Sequence, residues 1–200
     1  MVSGMNNMIA QDKDARKKRA NEAIVQLKSG ALLVQLQSKQ ISIDAYNEKG
    51  YQSIAEEIAQ EQKEGNIRIM RAFSESFHFC KVYFFLSDQV DEIKEKRWEE
   101  VNFINKNYEA DPSIILEETF FLVAVYSKTG ESDKNKQYRS ILSFDAITIW
   151  DENFIEMTKP FPYYLKMPQE IQKLKKIKKK IYNYDNELRS FYYRQPLSKN

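Results

Sequence analysis

His78 and Cys80 are the only histidine and the only cysteine in this 200-residue chain, and they stand two residues apart. On a β-strand such a pair projects to one face, the geometry a thiolate-imidazole couple needs for nucleophilic catalysis. The residues that continue that face, Val82, Phe84 and Leu86, are apolar, and a cysteine among them behaves as a small hydrophobe. The pair therefore reads as core, with His78 and Cys80 retained as catalytic candidates and no catalytic residue assigned. One histidine cannot furnish the paired imidazoles of a zinc protease helix. One cysteine cannot form an internal disulfide, a Cys-x-x-Cys couple or a thiolate zinc site. No metal ligands and no cofactor are expected.

Other chemistry is excluded by spacing. Phosphate cradles need glycines close together, and Gly4, Gly30, Gly50, Gly65 and Gly130 are each isolated. The Walker loop, the dinucleotide fingerprint and the Gly-x-Ser-x-Gly elbow are absent. Carboxylate pairs at Glu56-Glu57, Glu99-Glu100, Glu117-Glu118 and Asp151-Glu152 read as solvated surface, because adjacent helical residues do not share a face. Ligands of open α/β sheets bind beyond the carboxyl ends of the strands. Here those ends offer Gln37, Ser38 and Lys39 after the first strand and Ser87, Asp88 and Gln89 after the second. Lys39 and Asp88 are the ligand-binding candidates, with Asp88 suited to acid-base work or, more plainly, to capping the helix that follows.

The C-terminal run Leu174-Lys-Lys-Ile-Lys-Lys-Lys-Ile181 carries the sharpest charge pattern. From Tyr164 to Asn200 ten Lys/Arg face three Asp/Glu, a net of +7 against a whole-chain +2, which leaves −5 for the rest. Ile171, Leu174, Ile177 and Ile181 make a narrow apolar stripe, so the helix can dock while its lysines stay in water. Lys175, Lys176, Lys178, Lys179 and Lys180 are the partner-binding candidates, toward a protein or an anionic surface. Tyrosines beyond them could stack on bases, yet no dedicated nucleic-acid motif accompanies them.

The elements that must position these groups follow from periodicity. A charged helix is expected from Asp12 to a stop at Gly30, then a buried strand Ala31 to Leu36. A long helix capped by Ser42 or Asp44 runs to Phe73, with Gly50 and Gly65 as bends or weak points. Phe77 to Ser87 reads as a central strand, apolar on both faces. A helix from Val90 to Asn105 follows. Then come strands Thr119 to Ser127 and Tyr138 to Trp150 around a polar loop at 128–136, and an edge piece Phe154 to Met167 confined by Pro160 and Pro162. A helix from Gln169 to Phe191 ends the chain.

This order predicts one α+β domain over 12–196, with a tail at 197–200: parallel crossover strands followed by an antiparallel meander in a single mixed sheet, with helices packed on it. The bare order is that of thioredoxin-like folds, without the redox cysteines. No apolar run approaches the roughly 20 residues that span a bilayer. Residues 1–11 read as a flexible terminus or as the remnant of a secretory leader ending at Ala10, before Gln11, which tilts the location toward the periplasm or beyond. The function expected is a non-enzymatic interaction module of a bacterial cell envelope, its basic helix facing the partner. The competing expectation is a small enzyme or ligand binder that uses the strand-end crevice.

Overall fold

The computed structural model describes residues 2–128, 145–167 and 173–195. The expected loop at 128–136, the first part of the expected Tyr138 strand, residues 168–172 and the tail fall wholly or mostly outside them. Among the described residues, helix α1 (Val2–Ser29) leads directly into strand β1 (Ala31–Leu36); α2 (Gln40–Glu48) and α3 (Gln52–Ser76) carry the chain to β2 (Lys81–Leu86). After the short helix α4 (Val90–Lys94) come β3 (Phe121–Lys128), β4 (Asp145–Trp150), β5 (Tyr164–Lys166) and the long C-terminal helix α5 (Leu174–Tyr193). The strands form one sheet in the order β2-β1-β3-β4-β5. β1 is parallel to both β2 and β3, and β4 and β5 are antiparallel additions. The fold is therefore α+β with a single mixed sheet, parallel first and antiparallel after.

Alternation of side chains sends the two halves of each strand into different layers. Leu32, Val34 and Leu36 of β1, with Leu122, Ala124, Ile147 and Ile149, face the apolar stripes of α1, α3 and α5. On those helices Ile24 and Leu27, Ile69, Met70 and Phe73, and Ile177, Ile181, Tyr184 and Leu188 recur at steps of one to four residues, one stripe per helix. Leu33, Phe85, Phe121 and Val123 face the opposite layer, where Ile93 of α4 is joined by Trp98, Val101, Phe103, Ile114 and Leu116 from the irregular chain before β3. Each large side chain removed from water in either layer contributes roughly 1.5–3 kcal/mol.

Three expectations need correction. The strand expected at Phe77 to Ser87 begins only at Lys81, and it lies at the sheet edge rather than the centre. Its two apolar faces have another cause: a segment of non-helical chain runs alongside, with the Ile104 N–H donating to the Phe84 carbonyl at 2.8 Å. The helix expected from Val90 to Asn105 stops at Lys94, because Lys96 takes a positive φ of 56° and Val101 and Phe103 then alternate inward in extended chain. The long helix after β1 is two helices. Gly50, with φ of 79°, makes the break, whereas α3 runs unbroken through Gly65. Neither Ser42 nor Asp44 caps it, since α2 already starts at Gln40 without a side-chain cap.

Gly30 is required by a close approach. A Cβ there would stand 2.4 Å from the Phe120 carbonyl oxygen, the same oxygen that accepts the Ala31 N–H at 3.0 Å. That contact lets α1 turn into β1 directly beside the start of β3.

Candidate ligand-binding site

Because β1 and β3 are parallel neighbours, their carboxyl ends open on the same edge of the sheet, and α3 passes over them. Between the strand ends and the helix lies a cavity of about 580 Å³. Val34, Leu36, Ala124, Ile147 and Ile69 form its apolar floor. Its rim is polar, with Gln37, Lys39, Glu61, Gln62, Glu64, Arg68 and Tyr126. An apolar floor beneath converging polar groups is a form that small-molecule sites take.

Two amides one helical turn apart hold the rim in place. The buried Asn66 side chain accepts the Gln37 N–H at 3.1 Å and donates to the Gln37 carbonyl at 2.8 Å, copying a strand partner at the end of β1. Its second N–H reaches the Tyr108 hydroxyl at 2.9 Å. One turn earlier, the Gln62 carbonyl oxygen accepts the Lys39 N–H. The loop after β1 is thus fixed to α3, and Lys39 stands half-buried in the cavity wall. Gly65 lies between these amides; a Cβ placed there meets nothing within 4 Å. A glycine inside a helix costs roughly 0.5–1 kcal/mol relative to alanine, and here its missing side chain leaves the cavity wider.

The charged groups of the rim differ in enclosure. Arg68 is 27% exposed and Glu64 51%, with 3.3 Å between Nη1 and the carboxylate. Hydrogen bonds from Gln60 and Arg68 hold the Glu64 carboxyl below its ordinary range. The Arg68 Nε is enclosed and has no acceptor among the described residues. A buried donor left without an acceptor costs about 1–3 kcal/mol.

The other ligand-binding candidate lies beside this place and not in it. Asp88 lies outside the cavity lining, at the exposed end of β2, and accepts a hydrogen bond from the Ser38 hydroxyl at 3.1 Å. Ser87 Oγ accepts the Ser38 N–H at 2.9 Å. These two side chains stitch the loops after β1 and β2 together, and Asp88 does not make the helix cap expected of it. His78 and Cys80 sit in the turn before β2. His78 is exposed, and its backbone N–H donates to the buried Asp185 carboxylate at 2.7 Å, which Arg189 also pairs at 2.6 Å. Burial pushes the Cys80 thiol up to about 12. The lysines of α5 are spread around the helix: Lys175, Lys176 and Lys179 are exposed, Lys180 is half-buried, and Lys178 is tied to Glu75 of α3.

The residues that sequence reading missed are Gln62, Gly65, Asn66 and Arg68. Their one available sign was polar and small residues interrupting the apolar rhythm of α3 between Ile58 and Ile69. A second, shallower groove of about 590 Å³ runs between residues 159–164 and α5, walled largely by exposed side chains such as Asn183, Asn186 and Ser190.

Fold and site together define an α+β protein with one mixed sheet and a cavity at the carboxyl ends of its parallel strands. No protein-family model, curated protein or solved structure matches the chain.

Proposed function

We propose that this chain is a non-enzymatic binding module that takes a small molecule with an apolar body into the cavity between β1, β3 and α3. The observation that carries the reading is the cavity itself, floored by five apolar side chains and left open by Gly65 in mid-helix. Lys39 serves as a ligand contact, and Asp88 supports it indirectly by holding Ser38.

The test is a thermal-shift screen of small molecules run in parallel on the wild type and on Gly65→Leu. A ligand at about 100 times its dissociation constant adds roughly 2.7 kcal/mol of stability. Leucine is a far better helix former than glycine and fills the hollow, so the variant is expected to melt no lower than the wild type and to lose the ligand-induced shift. A ligand that stabilises both proteins equally binds elsewhere, and the reading falls.

A second reading rests on α5. Lys175 and Lys179 stand one turn apart in solvent, and the stripe continues with Tyr182, which is 57% exposed. This face suits an anionic surface or protein, with each basic residue contributing about 1 kcal/mol near acidic lipid. The double variant Lys175→Gln/Lys179→Gln tests it: co-sedimentation with acidic vesicles should fall several-fold, and unchanged co-sedimentation excludes the face.

A further inference from the structure

We propose that the ligand of the strand-end cavity is an amphipathic monoanion: an oxyanion head such as a carboxylate, held by Lys39 and Arg68, on an aliphatic body that lies on the sheet floor. The inference rests on the cavity being the ligand site, and it adds the sign and chemistry of the ligand.

The four charged side chains of the lining, Lys39, Arg68, Glu61 and Glu64, sum to zero, so a count does not choose the ligand's charge. Enclosure does. Both carboxylates are exposed at the rim, and Glu64 is already engaged by Gln60 and Arg68. Both cations are half-buried. A charge interacts more strongly where less water screens it, so the cavity attracts an anion more than the outer carboxylates attract a cation. The two cations also have capacity to spare. Among the described residues the Lys39 ammonium has no acceptor, although the backbone of the same residue is fixed by Gln62. Arg68 uses Nη1 on Glu64 and has no other acceptor among the described residues. The floor sets the other half of the ligand: Val34, Leu36, Ile69, Ala124 and Ile147 present only hydrocarbon, which favours an anion that carries an aliphatic body.

Calorimetric titration with decanoate, decylammonium and 1-decanol separates the possibilities. Decanoate should bind the wild type at least tenfold more tightly than either of the others. Lys39→Gln and Arg68→Gln should each weaken decanoate at least tenfold, Lys39→Arg should restore most of the loss, and Gly65→Leu should abolish binding. Melting curves without ligand establish that each variant is folded. Decylammonium or decanol binding as tightly as decanoate, and lost in Gly65→Leu, overturns the anion while leaving the cavity as the site. Decanoate binding that Gly65→Leu does not alter overturns the site as well. Absence of binding by all three overturns the amphipathic class.

Discussion

At the scale of single residues, the chain's only thiol shows how far local environment outweighs residue type. Cys80 stands between Phe79 and Lys81, and the core of α1, α5 and the sheet encloses it in part. Burial raises its pKa from an ordinary 9.0 to about 12 despite the nearby Lys28 ammonium. At pH 8 this leaves about a thousandfold less thiolate than a free cysteine, and the thiolate is the reactive form. Labelling with a thiol reagent at pH 8 should be slower than in urea-unfolded protein by two to three orders of magnitude, on the order set by that thiolate fraction. Equal rates would show an accessible, acidic thiol. That Lys39 lies just beyond a strand end was legible because the end of that strand is plain in the sequence. Arg68 was not, because one arginine among the charges of α3 looks like any solvated residue until the sheet is placed beneath it.

At the scale of elements, junctions were harder to read than interiors. β1 occupies Ala31–Leu36 as its apolar run predicts, and α5 follows its isoleucine stripe. The close passage of the Phe120 carbonyl past Gly30 joins residues ninety positions apart, and no local pattern announces it. Gly30→Ala forces a methyl group against backbone and should cost about 1–3 kcal/mol, the usual range for overpacking. Gly65→Ala, with open space at its Cβ, should instead gain about 0.5–1 kcal/mol. Urea midpoints of the two variants check both signs. Reading Val90 to Asn105 as a helix failed because α4, a short 3-10 turn at Trp98–Glu100 and extended chain all bury apolar residues, and their combined spacing imitates a helical stripe.

At the scale of the whole molecule, charge links the sheet edge to the chain entering β3. Glu118, only 7% exposed, accepts from Lys81 at 2.7 Å and from the Tyr83 hydroxyl at 2.8 Å. Burial alone would raise its pKa, but those hydrogen bonds prevail and hold it below the ordinary 4.5. A lowered carboxyl contributes stability that is complete above the unfolded value and disappears as pH falls through the folded one. The difference in urea midpoint between wild type and Glu118→Gln should therefore be full at pH 7 and shrink steadily below about pH 4.5. A difference constant from pH 7 to pH 3 would show that the carboxylate charge is not what stabilises this edge. The amino-acid order determined the class of the fold, because alternation and helical repeat are properties of neighbours along the chain: a mixed sheet, parallel before antiparallel, with a basic helix last. It also determined that Lys39 would stand at a strand end. Only the tertiary structure decided that β2 is an edge, that His78 faces water, and that Gln62, Gly65, Asn66 and Arg68 surround a cavity. Those outcomes depend on which strand lies beside which and on how closely α3 covers them, and such distances are set by packing between residues far apart in sequence.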